Sequence, residues 1–213
     1  MTGVHFVLSD NKELKTVATD SHRMSQKVIT LEKNGDNFDV VIPSRSLREF
    51  TSVFSDDIET VEVFFANNQI LFRSEHISFY TRLLEGNYPD TDRLIPTEFN
   101  TEATFNVANL RFAMERARLL SNATQNGTVK LEFKNGVVSS HVHSPEVGRV
   151  NEEIDTSAVS GEDLSISFNP TYLIEALKAI DSEQVVIRFI SSVRPFTLVP
   201  EGNEQGFLSL IHI

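Results

Sequence analysis

Two places in the chain bring side chains capable of chemistry close together. The stretch Ala18-Thr19-Asp20-Ser21-His22-Arg23-Met24 sets a carboxylate, an imidazole and a guanidinium almost side by side. Asp20 and His22 could act as a general base and the carboxylate that orients it. The same residue types also wall binding pockets, or form a polar turn between strands. Further on, His141 and His143 stand two apart in a segment with strand character, so their side chains share a face, as two metal ligands would. The catalytic alternative is therefore a hydrolase or metal enzyme built on Asp20, His22 and His141. Spacing supplies no third ligand for it, and G-x-S-x-G, P-loop, G-x-G-x-x-G and H-E-x-x-H sequences are all absent. The acid pairs Asp56-Asp57 and Glu152-Glu153 read as solvated charge on turns and strand faces.

Composition narrows the classes further. With 40% hydrophobic and 23% charged residues over 213 positions, the chain has the balance of a globular protein large enough for one big domain or two small ones. It has no cysteine, which removes disulfides, thiolate metal sites and cysteine nucleophiles and fits a reducing compartment. No apolar run approaches the roughly 20 residues of a membrane helix, and the start does not resemble a signal peptide, so a cytoplasmic protein without membrane contact is expected. The net charge of −11 argues against a uniformly basic nucleic-acid-binding surface, and any DNA contact must come from a local basic stripe.

These side chains must be positioned by elements, and the elements repeat. The segments VVIPSRSLREF, TFNVANLRFAM and ISFNPTYLIEAL align on Leu47, Leu110 and Leu173, a constant spacing of 63. Each starts as a strand and becomes a helix with one apolar face: Leu47, Phe50 and Phe54; Leu110, Ala113, Met114 and Ala117; Leu173, Ala176, Leu177 and Ile180. Asn169 followed by Pro170 suits an N-cap and first helical position. Alternating strands follow each helix, with Lys134-Asn135-Gly136 as a hairpin turn. The predicted unit is strand, helix, then three antiparallel strands. This is an α+β architecture in which pairs of units make domains. The polar run Pro96–Glu102 is the expected linker, giving domains at 1–98 and 99–213.

The residues then point to a family. ATDSHRM, LLEGNYPDTDRLIP (83–96), MERARLLSN (114–122) and SPEVGRVNEEID (144–155), in this order, closely resemble the bacterial β sliding clamp, the processivity subunit of DNA polymerase III, in its streptococcal form. The likeness runs through nearly the whole chain. It implies the DNA-clamp fold, with helices lining the inside of a head-to-tail homodimeric ring around duplex DNA, held without sequence specificity. It also implies a non-catalytic subunit, with no cofactor and no metal, that recruits the polymerase III α subunit, the clamp loader, other polymerases and repair proteins through short peptides of Gln-x-x-Leu-Phe type. Residues 1–98 would be most of the middle domain and 99–213 the C-terminal one. The chain is expected to be a piece of a longer protein lacking the N-terminal domain.

The resemblance also assigns residues. Thr19, Ser21, His22, Arg23, Met24, Pro89, Leu94, Val193, Pro195, Leu210 and Ile211 would line the peptide cleft. Ser21 stands where glycine is common, and the ending LSLIHI departs from the usual tail at His212 and Ile213. Arg45, Arg48, Arg111, Arg118 and Lys178, on the polar faces of the predicted helices, would meet DNA phosphates. Leu119 and Leu120 match dimer-interface positions.

Overall fold

The computed structural model describes residues 2–10, 12–54, 57–121, 127–144, 148–202 and 206–211. The chain divides into two compact units: residues 1–21 with 26–91, and residues 22–25 with 92–213. Segment 96–102, expected as the linker, belongs to the second unit. Asn100 donates its backbone N–H to Phe189 and its side-chain amide to Ile190, and Thr101 donates to the Glu162 carbonyl. Thr101 is buried and Asn100 exposed, and both are tied to backbone partners of unit 2.

In unit 1, strands β1 (Gly3–Ser9), β2 (Glu13–Thr19), β3 (Arg23–Thr30) and β4 (Phe38–Pro43) lie in the order β3-β2-β1-β4; the opening residues of β3 belong to unit 2. Helix α1 (Ser44–Val53) follows, then a separate antiparallel sheet of β5 (Glu62–Ala66), β6 (Gln69–Arg73) and β7 (Ser78–Arg82). The core is Ile42, Phe54, Ile70 and Phe72, with Leu47 and Phe50 of the helix packed against it. The apolar face of α1 is therefore where its spacing predicts, yet no residue of α1 is fully buried.

Unit 2 contains β8 (Thr101–Asn106), α2 (Val107–Ser121), β9 (Val129–Lys134), β10 (Val137–Ser144), β11 (Gly148–Ile154), β12 (Ala158–Gly161), β13 (Leu164–Phe168), α3 (Pro170–Lys178), β14 (Gln184–Phe189), β15 (Phe196–Pro200) and β16 (Phe207–Ile211). Strand starts at 38, 101 and 164 and helix starts at 44, 107 and 170 repeat the 63-residue spacing. The Asn135-Gly136 turn has positive φ at both residues, as a tight hairpin between β9 and β10 requires.

The strand before each helix does not join its own three strands. β8 pairs with β14, Thr101 opposite Phe189, while β13 pairs with β9, Leu164 opposite Phe133. Two sheets result, β12-β8-β14-β15-β16 and β11-β10-β9-β13, each mixing both repeats. α2 and α3 pack on one another over a continuous core that includes Phe105, Leu110, Met114, Leu131, Phe133, Leu173 and Phe189. This exchange ties the two repeats into one cooperative unit. In unit 1, β4 likewise joins β1 and not β5.

Candidate functional site

The segment His22–Ser25 is held within unit 2 through main chain and side chains. Ser209 Oγ on β16 donates to the Met24 carbonyl at 3.2 Å, and the Met24 side chain is buried. Side chains alternate along a strand, so with Met24 directed inward its neighbour Arg23 faces the other way. The Arg23 guanidinium lies over the Tyr172 ring, 4.8 Å from its centre, and pairs with the Glu175 carboxylate. The His22 imidazole stacks on the same ring at 6.1 Å with 16° between the planes.

The helix start explains why Tyr172 and Glu175 are available there. Asn169 Oδ1 accepts the Thr171 N–H at 2.9 Å, and Pro170 takes the first helical position, which fixes where α3 begins. Residues three apart then share a face. Tyr172 becomes a platform and Glu175 the counter-ion beside it. Neither was singled out from the sequence; the signal available was a Tyr and a Glu at i, i+3 directly after an Asn-Pro helix start. Arg23 is 32% and Glu175 51% exposed at the side chain, so a solvent-borne ligand can reach both.

The β15–β16 hairpin stands nearby in unit 2. Its register sets Phe196 opposite Ile211 and Thr197 opposite Leu210, so Val193 and Pro195, just ahead of β15, lie at the Ile211 end. Val193 is 79% and Leu94 49% exposed, and Pro195 is half-buried. Met24, Leu210 and Ile211 are at most 2% exposed, so their side chains lie in the interior. Leu210 and Ile211 point to opposite faces of β16, and both faces are covered. His212 and Ile213 lie outside the described residues.

The expected cleft residues of unit 1 sit in a different setting. Thr19 Oγ1 accepts the Ser21 N–H at 3.4 Å, and Ser21 has φ of 75°, the left-handed region that favours glycine. Pro89 is exposed. Its neighbour Tyr88 stacks on His5 at 4.5 Å and donates its hydroxyl to the Val17 carbonyl at 3.2 Å. Burial pushes the Tyr88 phenol up from its usual value, against a smaller opposing pull from the Thr19 backbone. His5 in turn pairs with Asp39 at 2.6 Å.

The catalytic alternative loses its parts one by one. His141 has Nε2 2.9 Å from Ser139 Oγ and Nδ1 2.8 Å from Asn151 Oδ1, with Glu132 at 3.5 Å, so its ring nitrogens serve the β9-β10-β11 sheet. His143 is exposed at the far end of β10. His22 is taken up by Tyr172.

The expected DNA-facing cations divide. Arg48 and Lys178 are exposed and, among the described residues, have no ion pair. Arg45 is exposed but paired with Glu49 at 3.0 Å. Arg111 and Arg118 are half-buried, Arg111 lying over the Phe112 ring with Glu115 at 3.9 Å. Of the expected interface leucines, Leu119 is 71% exposed, whereas Leu120 packs against the unit 2 core.

Comparison with known proteins matches this arrangement to one family. The model for the DNA polymerase III beta subunit, central domain, matches residues 1–90, and that for its C-terminal domain matches residues 92–210. The Beta sliding clamp of Streptococcus pneumoniae is 79% identical over 99% of this chain and 56% of its own length, and that of Lactococcus lactis is 53% identical over the same shares. The chain thus spans about half the length of the curated relatives it matches. Among solved structures, the Streptococcus pneumoniae DNA polymerase III beta chain superimposes with a TM-score of 0.96 at 79% identity, covering 99% of this chain and 56% of that one. The beta subunit from Streptococcus pyogenes gives 0.95 at 68% identity, covering 99% and 57%. The fold, the order of its repeats and this similarity over almost every residue agree: the chain belongs to the DNA polymerase III beta subunit family, the bacterial β sliding clamps.

Proposed function

We propose that this chain works as the central and C-terminal domains of a sliding clamp in DNA replication, a non-catalytic cytoplasmic component that tethers a polymerase to duplex DNA. The observation that carries this reading is the 79% identity to a Beta sliding clamp across 99% of the chain. A clamp needs cationic side chains that meet phosphates without reading bases. Arg48 and Lys178, exposed on α1 and α3, are the first candidates; Arg45 and Arg111 contribute after releasing Glu49 and Glu115, and Arg118 contributes from its half-buried position on α2. Leu119 is the residue offered to a partner subunit in a homodimeric ring.

Partner recruitment falls to an apolar cleft with convergent polar groups, the type of site that captures short peptides. We assign it, within unit 2, to His22, Arg23, Leu94, Val193 and Pro195, with the buried Met24, Leu210 and Ile211 behind them. Its ligands are Gln-x-x-Leu-Phe peptides of the polymerase α subunit, the clamp loader and repair proteins. The test is fluorescence polarisation of such a peptide against the folded chain and its Leu94→Asp and Val193→Asp variants. Both residues are exposed, so the variants keep the fold, as circular dichroism would report. Saturable binding that both variants weaken supports the cleft. Absence of binding to the folded chain rejects it.

A further inference from the structure

Two dipeptides of the same chemistry stand in opposite settings, and from this we infer that Asn34 is a site of spontaneous modification to aspartate and isoaspartate, while Asn135 is protected. Each is followed by glycine. In an Asn-Gly pair the glycine nitrogen, on giving up its proton, attacks the asparagine Cγ. The Cγ–Nδ2 bond breaks and ammonia leaves, which closes a succinimide ring. Water then opens the ring at either carbonyl, so that in sum amide and water become acid and ammonia. Glycine favours the attack because no Cβ shields its nitrogen. Ring closure also requires the asparagine backbone to turn until that nitrogen reaches Cγ. A third such pair begins at Asn126, outside the described residues.

The two described sites differ in that freedom. Asn135 and Gly136 form the tight turn of the β9–β10 hairpin, with φ of 51° and 78°. Lys134 and Val137 pair directly on either side, and the Asn135 N–H donates to Asp163 Oδ1 at 3.0 Å. Turning Asn135 toward ring closure breaks this arrangement, so the reaction must wait for the hairpin to open. Asn34 and Gly35 lie in the connection from β3 to β4, and among the described residues neither has a hydrogen-bond partner. Asn34 is exposed, and neither residue has a positive φ. Ring closure there breaks no backbone bond. Gly35 lies against the buried Leu8 of β1: a Cβ built on it would stand 3.0 Å from Leu8 Cδ2. Isoaspartate at 34 adds a methylene to the main chain beside that contact. Either product adds a negative charge to a loop that already holds Asp36.

The experiment incubates the folded chain, and the same chain unfolded in urea, at mildly alkaline pH. Peptide mapping by mass spectrometry then follows the conversion of amide to acid at each site, with electron-transfer fragmentation separating isoaspartate from aspartate. In urea the two sites should react at similar rates, because each is then an unconstrained Asn-Gly. In the folded chain Asn34 should stay within about threefold of its unfolded rate, while Asn135 slows at least roughly tenfold, the effect of an opening cost of about 1.4 kcal/mol. Circular dichroism during the incubation confirms that the folded sample stays folded. Comparable rates at the two sites in the folded chain, whether both fast or both slow, overturn the inference. A rate difference that persists unchanged in urea overturns it as well, since the hairpin would then not be its cause.

Discussion

At the scale of single residues, backbone conformation and burial decide what each position tolerates. Gly161 has φ of +100°, and a Cβ there would lie 2.0 Å from the Asn100 carbonyl oxygen. Gly136 has φ of +78° but open space around it. Gly136→Ala therefore incurs only the left-handed penalty of about 1 kcal/mol, while Gly161→Ala adds a clash with main chain and should cost at least about 3 kcal/mol. Denaturant titration of the two variants checks the order. Tyr88 makes a second case. Its phenol is raised by burial, so its folded value lies above the unfolded one near 10. Its contribution is fully present below that unfolded value and is lost as pH rises through the folded value. Tyr88→Phe should lower stability by about 1 kcal/mol at neutral pH through the lost bond to Val17, and should flatten the alkaline limb of the stability curve. Calorimetry from pH 7 to 11 measures both.

At the scale of elements, the three helices share a sequence plan but differ in how deeply they are set. In α2, Leu110 is fully buried between two sheets and α3; in α1, Leu47 only packs against a smaller core and remains half-buried. Leu110→Ala should cost about 3–4 kcal/mol and Leu47→Ala about 1–2 kcal/mol, because the exposed site leaves less of a cavity. Asn169→Ala removes the cap of α3 and should cost about 1 kcal/mol. Chemical denaturation followed by circular dichroism compares all three. The helix periods and the 63-residue spacing were legible in the sequence because apolar side chains recur with the period of the helix. Which sheet each preceding strand joins was not, since the hydrophobic alternation of β8 or β13 is satisfied equally beside either set of strands.

At the scale of the whole molecule, the two units have unequal cores. Among the described residues, unit 1 gathers four buried side chains in its main cluster and unit 2 gathers twenty-five. Strand β5 carries Val63, Phe64 and Phe65 at more than 40% exposure, while its counterpart β9, flanked in its sheet by β10 and β13, buries Val129, Leu131 and Phe133 in the unit 2 core. Hydrogen exchange read by mass spectrometry should therefore show α1 and β5 exchanging at lower denaturant than α2 and β9. Identical protection in both units would contradict the inequality of their cores.

Local rules account for the features that could be read from the chain alone. The strand and helix periods, the Asn-Pro start of α3, the Asn-Gly hairpin turn and the family motifs each depend on residues near one another in the chain, and so they could be read directly. The remaining features depend on how distant segments pack. Leu210 and Ile211 became interior because β16 is covered on both faces, a property of its neighbours and not of its own residues. His141 became a sheet residue because Ser139, Asn151 and Glu132 converge on it from three strands. Arg23 and Glu175, 152 residues apart, became a pair only when β3 and α3 were folded together. Contacts between distant segments depend on packing that no local pattern encodes.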